Sequence, residues 1–467
     1  MNKPNVFFVI MDAVRPDHLS SYGYPRKTSP NIDKIAEEGV LFENAFSTAP
    51  WSPDSHASMF TGLYPSHHNV LGENLYLSKE IPNIIEIFKS KGYMTLGISP
   101  NIFAGPHFGF HYGFDKFLDE RLHFGLLKKH FWDWIVFGFE TDIRAVIYRW
   151  IYHAIIFQEI KKWITLSWKK NKPFFIFINY FDAHLPHHPP HPFRERFNKA
   201  SDQNIDLEKI EDCFNRRFGF PYVAKEVEMT KEEWDFVKSR YDAEIAYVDF
   251  FLGKVFDYLK KYELLDNTFI LITSDHGENL GDHQLASHAF CLYDTLIHIP
   301  LIINFPKYTS SRKRISNIVS TVDIFPTLIS ILNIERKDAI DGRNLIPFEE
   351  RIYHKHILAE YGPPIPQIKT MERLCPNFNS NIYNKSLKCI RSADFKYLIA
   401  SDGKAEWYDM KNDPNESKNI INEIPEKKRQ ELKSIITKEL RGSAAKKKVV
   451  VSPNEEIRKR LRELGYF

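Results

Sequence analysis

Asp12 closes the apolar run VFFVIM at residues 6–11, and Asp275, His276 and Glu278 follow a second run, TFILITS, at 268–274. Carboxylates and imidazoles are the groups that bind divalent cations. Short β-rich runs bounded by turn residues read as buried strands of a parallel sheet. Open α/β sheets gather their ligands outside the carboxyl ends of the strands. The two runs therefore predict one metal site assembled from distant sequence. A third piece, TAPWSPDSHASMFTGLYP at 48–65, adds a hydroxyl. Ser52-Pro53 has the form of a helix start, with Ser52 at the N-cap and Pro53 at N1. A hydroxyl there lies at the positive end of the helix dipole, where an alkoxide is stabilised. His56, four residues on, shares a face with Ser52. The segment reads either as a plain capped helix or as a nucleophile.

The elements that must position these residues follow an α/β rhythm through about residue 345. KPFFIFINYFDAHLP at 172–186 is another strand, running into Asp182 and His184. YDAEIAYVDFFLGKVFDYLKK at 241–261 is a strong amphipathic helix leading into the Asp275 strand. STVDIFPTLISILNI is a helix entered from Asp323, with Pro326 in its first turn. Beyond DGRNLIPF the pattern shifts to short strands, ILAEY, CIRSADFKYLIA and AEWYDM, which predict a small antiparallel sheet, and a basic tail with EEIRKRLRELGYF predicts a docked terminal helix. The expected fold is α/β: a central, mostly parallel sheet flanked by helices over 1–346, then a small C-terminal α+β subdomain over 347–467.

Composition narrows the function classes. A net charge of +3 over 467 residues gives no electrostatic case for nucleic acid. Four scattered cysteines without a CxxC pair favour a reducing compartment. The first apolar run is too short for a signal peptide and is needed as a strand, so the expected location is cytoplasmic. No stretch is long and clean enough to span a membrane. Five of the eight tryptophans (Trp132, Trp134, Trp150, Trp163, Trp168) fall in a helical insertion at about 118–172. It reads as a packed aromatic subdomain, or as a lid or membrane-facing patch for a greasy substrate.

Taken together, FVIMDAVRPDHLSSYGY, WSPDSHASMFTGLYPSHH, FDAHLPHHP, SDHGENLGDH and DIFPTL resemble the sulfatase family of the alkaline phosphatase superfamily, in order over nearly the whole chain. YDMKNDPNESKN resembles that family's C-terminal subdomain. The resemblance implies an alkaline-phosphatase-like fold with Asp12, Asp275 and His276 as metal ligands. It puts Ser52 at the nucleophile position, which also touches the metal. His184 matches a histidine facing the substrate and serving the leaving group. His288 lies where sulfatases usually have a lysine gripping the anion, and Asn101 falls in a stretch that carries another lysine and a histidine. Arg15 and His56 are secondary candidates for anion contact.

The departures bear on the chemistry. Sulfatases mature a cysteine or serine to formylglycine within C/S-x-P/A-x-R, whereas Asp54 and His56 stand at the two recognition positions here. The usual second aspartate after Asp12 is Ala13, and the usual asparagine after Asp275 is His276. Imidazole in place of oxygen ligands moves the expected cation from calcium or magnesium toward manganese, zinc or iron. Superfamily phosphodiesterases hold a second metal with one aspartate and two histidines, a role open to Asp182, His184 and His288. His187, His188 and His191 read as a solvated Pro/His-rich turn.

The leading expectation is cleavage of a sulfate ester by Ser52 or its formylglycine form. The alternatives are a phosphodiesterase, phosphomonoesterase or head-group phosphotransferase using unmodified Ser52, and a non-catalytic binding protein on the same fold. The expected partner is a small-molecule, lipid or glycan ester. Peripheral membrane contact and oligomer assembly stay open.

Overall fold

A computed structural model describes residues 3–119, 143–198, 205–307, 309, 313–334, 339–348 and 353–441. Three runs read as strands form β1 (Asn5–Met11), β5 (Phe174–Tyr180) and β6 (Thr268–Thr273), and β2 (Val40–Phe46), β3 (Met94–Ile98) and β4 (Lys116–Leu118) lie between β1 and β5 along the chain. A two-stranded hairpin, β7 (Asn279–Leu280) and β8 (Ala286–Ser287), precedes β9 (His298–Asn304) and β10 (Lys313–Ser320). The central sheet has eight strands in the order β10-β2-β9-β6-β1-β5-β3-β4. All neighbours are parallel except β9, which runs antiparallel to both β2 and β6. The alkaline-phosphatase-like, mostly parallel expectation is met.

β1 lies between β5 and β6, with Val9 opposite both Ile178 and Ile272. This register brings the carboxyl ends of three buried strands together. Side chains on a strand alternate between faces. Phe7, Val9 and Met11 accordingly join one core with Ile176, Ile178, Ile270 and Ile272. Val6, Phe8 and Ile10 join a second core with Phe175, Phe177, Phe269 and Leu271 on the opposite face. Two long helices, Ile143–Lys169 and Lys231–Lys261, cover the first face. The second core holds Ala57, Met59 and Phe60 of the helix Ser52–Thr61.

The tryptophan-rich region is described only in part, and Trp132 and Trp134 lie outside the described residues. Its described portion is the 27-residue helix Ile143–Lys169, which buries Ile156, Ile160 and Ile164 against the sheet. Trp150 sits among Phe193, Tyr247, Phe250 and Phe251, and Trp163 donates its indole N–H to the Met94 carbonyl. Among the described residues no helix is long and apolar enough to cross a membrane.

The C-terminal strands β11 (His356–Tyr361), β12 (Leu387–Ser392), β13 (Phe395–Ala400) and β14 (Ala405–Asp409) form an antiparallel sheet in chain order. The helix Glu426–Glu439 closes it through Leu432 and Ile436. The expected basic terminal helix lies outside the described residues.

One ion pair ties the exit of the Ser52–Thr61 helix to the segment at 339–348. His67 Nδ1 is 2.7 Å from Asp341 Oδ2, and this hydrogen bond raises the His67 pKa above its usual value. A raised folded pKa gives stability that is complete below the unfolded value of about 6.5 and is lost as pH rises through the folded value. His67→Gln is expected to cost about 1 kcal/mol below that pH and progressively less above it. Melting temperatures of both proteins across a pH series check this; a constant gap would refute the ionic pairing.

Candidate active site

Three carboxyl-end loops and one helix start meet beside β1. Asp12 follows β1 directly, and its N–H donates to the Tyr180 carbonyl at the end of β5. Its Oδ2 accepts hydrogen bonds from Asn101 Nδ2 at 2.9 Å and Asn179 Nδ2 at 3.0 Å. Asp275 Oδ1 accepts from the N–H groups of Ala13 and His276. The remaining oxygens, Asp12 Oδ1 and Asp275 Oδ2, are buried without a hydrogen-bond partner. His276 donates its Nδ1 proton to the Gly277 carbonyl at 2.8 Å, which leaves the lone pair on Nε2. That nitrogen lies 3.8 Å from Asp12 Oδ1 and 3.6 Å from Asp275 Oδ2.

Two orphaned carboxylate oxygens and an unprotonated imidazole nitrogen, all within 4.8 Å of one another, fit a divalent cation. Burial and the adjacent Asp275 carboxylate push the Asp12 carboxyl well above its usual range. Such a pair calls for a positive charge between its members.

Ser52 stands at this cluster, though not as the expected N-cap. Trp51 is the cap: its carbonyl accepts the first helical bond, from Ser55 N, and its backbone is extended. Ser52 is therefore N1 and Pro53 is N2, where its missing N–H leaves no helical bond unmade. Released from capping, the Ser52 hydroxyl lies 3.2 Å from His276 Nε2 and 3.1 Å from Asn101 Nδ2. Asn101, at the carboxyl end of β3, is held in orientation by the Phe103 N–H donating to its Oδ1.

His288 and His184 line the next position. The His288 ring stacks on His276 at 4.5 Å and lies 4.6 Å from the His184 ring. The β7–β8 hairpin carries His288 back, with Ser287 at φ 64°. Glu278 Oε2 lies 3.5 Å from His288 Nδ1, and burial pushes the Glu278 carboxyl up to about 7. His184 stacks on Phe181 and donates its Nδ1 proton to the Leu185 carbonyl. Burial and the neighbouring His288 lower its pKa to about 3.

Three expected residues take other positions. Asp182 does not join His184 and His288, so the second metal set open to these residues is not assembled among the described residues. Its carboxylate is held by Arg149 at 2.7 Å and His153 at 2.8 Å, both on the helix Ile143–Lys169. Arg15 directs its guanidinium to Asp17, Asp282 and the Glu278 carbonyl, which commits four of its five N–H donors within the protein. His56 is enclosed by Phe60, Phe110 and Phe177, donates Nδ1–H to the Ser52 carbonyl and lies 3.5 Å from Asp275 Oδ2, so it braces the helix start beside the Asp275 carboxylate. The Pro/His-rich turn is also less solvated than expected: His187 is buried, whereas His191 is exposed.

Sequence reasoning missed Asn179 and Arg149. Asn179 is the penultimate residue of β5 and opposes Ile10 in the register, a position visible only once β1 and β5 are paired. Arg149 bridges Asp182, Glu244 and the His188 carbonyl, which anchors the loop carrying His184.

The chain is similar over most of its length to characterised folds and to proteins of one family. It is 26% identical over 449 residues to the uncharacterized sulfatase YidJ of Escherichia coli, covering 91% of this chain and 84% of that one. It is 25% identical over 506 residues to an N-acetylglucosamine-6-O-sulfatase of Bacteroides thetaiotaomicron, covering 92% and 84%. The crystal structure of the phosphonate monoester hydrolase of Agrobacterium radiobacter superposes with a TM-score of 0.75 at 24% identity, over 94% of this chain and 95% of that one. The family model described as Sulfatase matches residues 4–334, which takes in β1, the Ser52–Thr61 helix and the Asp275 loop, and the chain accordingly belongs to the sulfatase family of the alkaline phosphatase superfamily.

Proposed function

We propose that this protein hydrolyses a sulfate ester of a small molecule or glycan, with the residue at position 52 attacking sulfur. The observation that carries this reading is the Ser52 hydroxyl, freed from capping and held beside the orphaned oxygens of Asp12 and Asp275. Asp12, Asp275 and His276 would hold one divalent cation, with manganese, zinc or iron favoured by the imidazole. Such a cation, when bound, eases ionisation of the nucleophile and neutralises charge on the transferred group.

The chain's own residues do the rest. The helix dipole behind Ser52 favours its alkoxide, and Asn101 fixes the hydroxyl by donating to it. Attack forms an oxygen–sulfur bond and breaks the bond to the leaving oxygen. His184 is neutral with its Nδ1 proton committed to Leu185, so its Nε2 first accepts a proton and then passes that same proton to the leaving oxygen. Water attacking sulfur then frees sulfate from a serine ester; a formylglycine hydrate expels it by collapse to the aldehyde.

A second reading rests on one observation. Asp54 and His56 occupy the maturation-motif positions, and both are fully buried. Unmodified Ser52 suits phosphoryl double displacement. Rates on an aryl sulfate, an aryl phosphate monoester and an aryl phosphate diester, with manganese supplied, decide between the readings. Sulfate preference is expected; a phosphate preference by orders of magnitude would replace the reading.

Asn101→Ala is expected to lower kcat by roughly 10–100-fold with little change in KM, because its amide orients the nucleophile and Asp12. Steady-state kinetics checks the split. An effect confined to KM would show that Asn101 binds substrate only.

A further inference from the structure

The geometry points to a second functional surface, remote from the active site: a basic, aromatic patch that docks on an anionic lipid bilayer. Among the described residues seven large apolar side chains are exposed, four of them on the helix Ile143–Lys169: Ile147 and Ile151 near its start, and Leu166 and Trp168 in its last turn. Trp168 is the extreme case at 73% exposure, in the last turn of that helix. A fifth, Tyr262, is 53% exposed just past the end of the neighbouring helix Lys231–Lys261. The two helix ends are joined: Thr165 Oγ1 lies 3.1 Å from Tyr258 Oη, and the Tyr258 and Tyr262 rings are 4.7 Å apart.

Charge identifies the occupant. Residues 160–172 contain five lysines and no acid, and Lys260 and Lys261 add two more charges on the adjoining helix. Lys169, Lys170 and Lys172 are exposed, and no ion pair to them is formed among the described residues. A lysine cluster around an exposed indole and Leu166 has the make-up of an interfacial anchor. The ammonium groups attract anionic headgroups, while the indole sits at the headgroup level. The protein's net charge is only +3, so this attraction belongs to the patch and not to the whole surface.

The patch lies at the amino ends of β5 and β6, since its two helices lead into Phe174 and Thr268. The active site lies at the carboxyl ends of the same strands, so bilayer docking leaves the catalytic residues untouched.

Co-sedimentation of the full-length protein with vesicles tests this, comparing phosphatidylcholine alone with phosphatidylcholine plus phosphatidylserine at low ionic strength. Binding is expected only to the anionic vesicles. Trp168→Ser and the triple change Lys169→Glu, Lys170→Glu, Lys172→Glu should each reduce it roughly tenfold or more, with hydrolysis of a soluble ester unchanged. Charge reversal at Lys427 and Lys433, exposed on the C-terminal helix, should leave binding intact. The proposal is overturned if anionic vesicles are not bound, or if the Lys427/Lys433 variant loses binding equally. Retention of a DNA or RNA oligonucleotide without vesicle binding overturns it too, and assigns the patch to nucleic acid.

Discussion

Alanine at position 52 is expected to lower kcat/KM on the preferred ester by about 10⁴-fold or more, while bound cation and melting temperature stay close to wild type. The size follows from losing the protein atom proposed to form the first new bond to sulfur; surrounding donors cannot substitute for it. The unchanged stability follows from the helix start. Trp51 provides the cap and Pro53 fixes the entry, so the Ser52 hydroxyl contributes nothing to capping, and alanine is the best helix former at N1. A serine serving as the cap would instead cost about 1 kcal/mol on removal. Kinetics, elemental analysis and thermal melting of Ser52→Ala therefore separate a nucleophile from a structural hydroxyl. A variant within tenfold of wild type would remove Ser52 from the mechanism. Mass analysis of the peptide spanning residue 52 completes the test, because formylglycine is lighter than serine by two hydrogen atoms.

What could be read from sequence divides along physical lines. Asp12 and Asp275-His276 were legible because each ends a short apolar run, and a strand's carboxyl end fixes where the next residue lies. The sheet's antiparallel member was not legible: HIPLIIN buries both faces in β9 whichever way it runs. Ser52 was placed one position early because Ser-Pro fits both N-cap–N1 and N1–N2, and only the Trp51 carbonyl decides between them. Asp182 misled for a different reason. Only Ala183 separates it from His184, but it leaves the strand on a turn, and Arg149 and His153, from a helix earlier in the chain, claim its carboxylate. Asn179 shows the same limit, whereas Asn101 was reached only through the family resemblance. An asparagine at a strand end carries no periodic signal, and its partner Asp12 is far away in sequence.

Lys396→Met is expected to destabilise the fold by about 3–5 kcal/mol at neutral pH, the usual cost of leaving buried carboxylates without their cation. Lys396 lies on β13 with no exposed surface, 2.8 Å from Asp294 and 2.7 Å from Glu416. Asp294 opens the short helix that follows the His288 segment, and Glu416 also accepts its backbone N–H. The cluster thus joins the C-terminal sheet to the central sheet through two buried cations, Lys396 and Arg391. Asp294 keeps Arg391 at 3.0 Å after the substitution, so Glu416 bears the loss. Burial already raises Glu416 to about 7 with Lys396 present, and removing the lysine raises it further. A carboxyl raised in the folded state binds more protons than in the unfolded chain, so its effect on stability worsens as pH rises. The gap in melting temperature between wild type and Lys396→Met should therefore be smallest near pH ~5 and widen toward pH ~9. Adding Glu416→Gln should recover part of the loss at high pH, since the neutral amide needs no counter-charge. A gap independent of pH, unaffected by Glu416→Gln, would mean that Lys396 acts through packing of its stem and not through its charge.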